Sequence, residues 1–135
     1  MGSGGYNYMT ELHTSLHQRL MIAEVNATYN PALVLLDGVE AFIDQGPDRG
    51  TKVWGEVIMA GTDRVAIDAV GLALLCFLGY TGKAANGPIF AQDQIARAVE
   101  LGLGIDSPDK ITFLTDDSES AAYAAQIHEQ MQRSG

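Results

Sequence analysis

The chain has little with which to cross-link itself, grip nucleic acid or cross a membrane. Among its 135 residues there is one cysteine, Cys76. No internal disulfide can form, and an iron–sulfur cluster held by the usual thiolate set is excluded for this chain alone. A single thiol inside an apolar run suits a reducing compartment. No basic region followed by an apolar one opens the sequence, so a cytoplasmic location is expected. Basic residues are scarce, 8 against 17 acidic ones, for a formal net charge of −9. Without a basic stripe, neither nucleic acid nor an anionic membrane is an expected partner. The most hydrophobic segment, residues 66–80, carries Asp68 and is too short to span a bilayer. There is no Gly-x-Ser-x-Gly elbow and no P-loop pattern, which leaves serine-nucleophile and Walker-type phosphate chemistry without support.

What is present is a core. Hydrophobic residues make up 47% of the chain and charged ones 19%, a balance that folds rather than one that stays disordered. Residues 1–9, opening MGSGG, read as a flexible start or cloning remnant, and residues 10–135 as a single α/β domain excised from a longer protein. The organising stretch is VIMAGTDRVAIDAVGLALLCFLG, residues 57–79. A buried strand there meets Gly-Thr-Asp and passes at once into an apolar helix, expected over residues 64–78.

Around it the expected order is α-β-β-α-α-β-α, a small sheet of about three main strands with helices in two or three layers. Leucine and alanine spacing from Leu12 to Ala27 predicts one helix over residues 10–28. Residues 32–36 are a short apolar run of the kind a buried strand shows. Asp37-Gly38 ends it, and residues 39–52 read as a long irregular loop with turn chemistry at Gly46-Pro47 and Asp48-Arg49-Gly50. A second strand is expected over 53–60 and an amphipathic helix over 91–101. A third strand is expected over 111–114 and a last helix over 117–131. So few strands leave edges to cover, and the expected partner is a second copy or a missing N-terminal half.

Several side chains could carry chemistry. Asp37 and Asp63 each follow an apolar strand. Were the two strands parallel, both carboxylates would reach one sheet edge, where ligands of open α/β sheets collect. There they could coordinate a divalent metal or divide acid and base roles. The plainer readings are an N-cap for Asp63 and a turn aspartate for Asp37. Asp68 lies inside the apolar helix and needs a partner, for which Arg64 is four residues away. His13 and His17 have the spacing of two metal ligands on one helical face, although two histidines are half a site. Gly46, Pro47, Arg49 and Gly50 could surround an anion with amides and a guanidinium, or simply turn the chain. Thr62 stands at the strand-to-helix junction beside Asp63 and Arg64.

Four stretches, LHTSLHQRLMIAEVN (12–26), LVLLDGVEAFIDQGPDRG (33–50), VIMAGTDRVAIDAVG (57–71) and QIARAVELGLGIDSPDKI (94–111), together resemble one family. It is the uncharacterised family catalogued as domain of unknown function three-six-two, and the likeness is to its C-terminal half. Some members carry ferredoxin-type iron–sulfur modules. The resemblance implies that Asp37, Gly38, Gly46, Pro47, Gly50, Asp63 and Asp68 are motif positions, and that an iron–sulfur redox protein is a candidate partner. It implies no reaction. The expectation is a domain whose acidic pocket binds a metal ion or small ligand, with a non-catalytic docking domain as the alternative.

Overall fold

Helix α3 (Arg64–Phe77) lies at the centre of the core. Six of its fourteen residues, among them Ala69, Ala73 and Leu74, are buried. It starts where Asp63 leaves the extended conformation and caps it, and it ends where the amide of Tyr80 donates to the carbonyl of Leu75. The computed structural model describes residues 8–46 and 48–133. The start at residues 1–7 lies outside the described residues.

The described residues form a mixed α/β fold of five helices and a two-stranded antiparallel sheet. Before α3 come α1 (Tyr8–Thr14), α2 (Gln18–Asn26), β1 (Val34–Phe42) and β2 (Lys52–Gly61). After it come α4 (Asp93–Glu100) and α5 (Ser118–Arg133), with single 3₁₀ turns at Lys83–Ala85, Ile89–Ala91 and Pro108–Lys110. The hairpin is one layer and the helices are the other. Helix α3 lies under both strands, with α5 on one flank and the α2–α4 pair on the other. Val65, Val70, Ile89, Ile95, Ile127 and Met131 join around α3 in one core. Fully burying a side chain such as Ile127 stabilises the fold by about 1.5–3 kcal/mol.

Four expectations are corrected. The helix expected over residues 10–28 is two helices. The Ser15 hydroxyl accepts from the amide of His17 at 3.0 Å, a local bond that competes with the helical ladder, and Leu16 is left fully exposed. The strand expected to stop at Leu36 runs on to Phe42, so the loop shrinks to residues 43–51. Asp37-Gly38 is inside β1 because Gly38 is where the helix approaches the strand. A β-carbon there would lie 2.9 Å from Val57 Cγ1 and 3.0 Å from Leu74 Cδ2. The two strands are antiparallel, Val34 opposite Gly61 and Phe42 opposite Lys52, where a parallel pair was the premise of a shared carboxylate edge. Finally, residues 111–114 form no strand. They alternate inward (Ile111, Phe113) and outward (Thr112, Leu114) as a strand would, yet the only strand pairing among the described residues is β1 with β2.

The hairpin carries a bulge. Gly38 pairs with Val57 and Glu40 with Trp54, so Val39 faces two residues, Gly55 and Glu56. Glu56 absorbs the extra length at φ +53°, a left-handed conformation that side-chain-bearing residues seldom adopt.

Candidate functional site

The acidic candidates lie around α3, and the cavities beside it decide which of them meet. A cavity of about 580 Å³ runs along the open edge of β1, bordered by Asp37, Gly38, Asp44, Gly46, Asp68 and Gln94. A smaller one of about 310 Å³ lies beside it, bordered by Asn26, Arg64, Asp68 and Gln94 and by an apolar wall that includes Ile67 and Leu103. Asp68 and Gln94 belong to both. They form the seam between an acidic groove and an apolar one.

Asp68 stands one helical turn into α3, on the side turned away from α5 and toward α4. Its Oδ2 accepts a hydrogen bond from Gln94 Nε2 at 2.9 Å. Partial desolvation raises its pKa above the ordinary aspartate value, and the Gln94 bond opposes that rise. The residue is nonetheless exposed by area. Protein atoms ring the carboxylate while the mouth of the groove stays open, so solvent screens much of the penalty. The expected pairing with Arg64 does not form. The Arg64 guanidinium turns to the end of α2, where Nη1 donates to the carbonyls of Asn26 and, at 2.7 Å, of Tyr29. It lies 5.6 Å from the centre of the Tyr29 ring, in cation–π range. The Asn26 carbonyl is an orphan of the α2 C-terminus and the Tyr29 carbonyl lies in the chain just beyond it, and together they have the stronger claim on the cation.

Asp63 serves as the cap of α3. Oδ1 accepts from the amide of Ala66 at 2.8 Å, and Oδ2 accepts from the amide of Ile105 at 2.9 Å. One carboxylate thus fixes the start of a helix and the loop after α4. Asp63 borders a third cavity, on the β2 side of the hairpin, and Asp37 borders the β1 side. Extending the strand register, Asp63 lies about five residues along the ladder from Asp37, or roughly 17 Å at ~3.4 Å per residue. The shared cleft expected for these two acids is not formed. Asp37 Oδ1 instead accepts from the amide of Val39 at 3.0 Å, next to the bulge.

The loop after β1 is closed by its own aspartate. Asp44 accepts from the amide of Thr51 at 2.7 Å and from its hydroxyl at 2.8 Å. Gly50 sits at φ +112° with no room for a β-carbon beside Asp44 Oδ1, so Asp-Arg-Gly serves the turn. Arg49 is exposed and, among the described residues, reaches its neighbour Asp48, at 4.0 Å. Among the described residues Gly46, Arg49 and Gly50 do not assemble the expected anion nest, and its Pro47 lies outside the described residues. His13 is in α1 and His17 beyond its end. The break between them removes the common face that their spacing requires. Thr62 is exposed beside Asp63. Among the described residues, no three His, Cys, Asp or Glu side chains gather as a cation's ligand set.

Two site residues were not legible in the sequence. Gln94 is an ordinary polar position of α4, and Arg19 of α2, which also borders the larger cavity, is an ordinary surface cation of its helix. No motif marks either; only the packing of α4 beside α3 brings an amide to Asp68.

A family model described as Domain of unknown function (DUF362) matches residues 1–73. No curated protein and no solved structure matches the chain. Among the described residues, no helix is long and apolar enough to cross a membrane.

Proposed function

The chain belongs to the family described as Domain of unknown function (DUF362), and from that premise we propose that it is a binding domain whose ligand sits on Asp68, at the seam of the two β1-side cavities. The observation that carries this reading is the Asp68–Gln94 pair, a carboxylate and an amide converging where an acidic and an apolar cavity meet. Small-ligand sites are commonly apolar clefts of about 300–1,000 Å³ with a few converging polar groups. Of the four acids bordering the larger cavity, Glu40 is paired with Lys52 at 3.1 Å and Asp44 is committed to Thr51. Asp37, opposite Ile58, shares the outer face of the hairpin, which leaves Asp68 to meet a ligand. A ligand with a cationic or hydrogen-bond-donating head and an apolar body fits it. A divalent cation would take the Asp68 carboxylate with water completing its shell.

Titration with hexylamine and, separately, with Mg²⁺ tests the reading, following the side-chain amide resonance of Gln94. One of the two should shift it saturably, and Asp68→Asn should abolish the shift while leaving the fold intact. An unmoved Gln94 amide in both titrations would sink the proposal.

A second reading is a docking or scaffold domain, for which an iron–sulfur protein is the partner that the family resemblance implies. The outer face of the hairpin favours it. Leu35 and Ile58 point away from α3 and are 68% and 64% exposed, although they belong to the only sheet among the described residues.

A further inference from the structure

The cavity on the far side of the hairpin has the form of an empty strand position. Its volume is about 640 Å³. One wall is β2 from Glu56 to Gly61, and the opposite wall is the extended segment of residues 111–115. The floor is apolar, made by Ile67 and Val70 of α3 and by Ala124 and Ile127 of α5.

Both walls present main chain without a partner. Strand β2 is bonded to β1 along one edge, and no backbone hydrogen bond joins its other edge to the described residues. Residues 112–115 likewise make no backbone hydrogen bond among the described residues. Each wall also keeps a strand's alternation. Val57 and Met59, like Ile111 and Phe113, are half-buried and packed toward the core. A peptide strand between them would sit about 4.8 Å from each wall, donate and accept on both sides, and drop alternate side chains onto the α3–α5 floor. No globular surface or small molecule can satisfy two parallel rows of amides and carbonyls in this way. The β2 wall spans about five strand steps, roughly 17 Å. Tyr123, whose hydroxyl donates to the carbonyl of Gly55 at 2.8 Å, closes one end.

Charge narrows the occupant. Glu56, Asp63 and Asp116 border the cavity against Lys110 alone, on a chain of net charge −9. We propose that this slot binds an extended segment of another polypeptide, about five residues with alternating apolar side chains and basic flanks, which enters as a strand between β2 and residues 111–115. The result is a four-stranded sheet in place of the hairpin. The inference rests on the docking reading for its class of partner and owes nothing to the Asp68 groove.

The probe is a capped synthetic peptide, Lys-Val-Thr-Val-Thr-Val-Lys, titrated into isotopically labelled protein. Backbone amides of residues 57–61 and 111–115 should shift saturably and exchange with solvent about tenfold more slowly. A control peptide with proline at both threonine positions, which cannot donate from those positions, should bind about a hundredfold more weakly, the cost of two unmet buried hydrogen bonds at about tenfold each. In the protein, Leu114→Pro and Thr115→Pro remove donors on opposite sides of the segment, and one of the two should weaken binding about tenfold. Lys83→Gln, at an exposed position away from the cavity, should leave binding unchanged. Shifts confined to β1 or to Leu35 and Ile58 would keep the docking reading and overturn the slot. Absence of binding, or equal binding of the proline peptide, would overturn it too, even if both protein variants unfold.

Discussion

Gln94 of α4 reaches across 26 residues of sequence to donate to Asp68 of α3 at 2.9 Å. The bond replaces the Arg64 partner that helical spacing favours, and it leaves the Asp68 carboxylate facing a groove rather than neutralised by a fixed cation. Its pH behaviour follows. Partial desolvation raises the pKa of Asp68 in the folded chain, so just above the ordinary aspartate value the folded state holds more protons than the unfolded state. Stability contributed by this residue therefore falls as pH rises through that window. Asp68→Asn removes the ionisation and should be as stable as the parent, or slightly more so, at pH 7. Urea unfolding from pH 4 to 7 checks this. A parent whose stability gains on that of the variant as pH rises would contradict it.

Asp63 holds two backbone amides with one carboxylate. Asp63→Ala loses the cap and orphans the amide of Ile105, and should cost about 1–3 kcal/mol. Asp63→Asn retains a good cap and should cost less. Denaturant midpoints for the two variants give the order, and an alanine variant as stable as the asparagine one would rule out the clamp.

Arg64 ties the end of α2 to the start of α3. Arg64→Met preserves much of the stem and removes the donors. Amides of α2 should then exchange faster, while those of the α3 core keep their protection. Uniform acceleration throughout the chain would mean that Arg64 supports global stability and not this local tether.

Gly38 marks a close approach of strand to helix. Gly38→Ala places a methyl group against Val57 and Leu74, and overpacking of this kind costs about 1–3 kcal/mol. Thermal unfolding measures the loss; an unchanged midpoint would show that the hairpin can lift from α3 freely.

Ile127 of α5 is 2% exposed and belongs both to the core and to the floor of the β2-side cavity. Ile127→Ala should destabilise by about 2–5 kcal/mol. A loss well below 2 kcal/mol would mean that α5 collapses into the space, and that the cavity is easily closed.

Much was legible where the cause is local. The start of α3 at Asp63, its apolar length, the turn at Gly50 and the span of β2 follow from caps, glycine geometry and hydrophobic runs. These act over a few residues, and the sequence shows all of them at once. Residues 111–114 mark the limit of that reading. Their alternation is that of a strand and the structure keeps it, but a strand is defined by its neighbour, and periodicity does not name one. Asp37-Gly38 failed for a related reason. It carries turn chemistry, yet the requirement that α3 lie close to Gly38 outweighs the local preference.

Composition alone determined that this chain makes no internal disulfide and carries a net negative charge, and the order of residues 57–79 determined its apolar central helix, because those properties depend only on which residues are present and on their local sequence. Tertiary structure decided which acids meet. An antiparallel hairpin sends Asp37 and Asp63 to opposite edges, an orphaned helix end draws Arg64 away from Asp68, and α4 supplies Gln94 in its place. Each of these outcomes turns on a contact between residues distant in the chain, where the competition between partners is settled by geometry that no local pattern encodes.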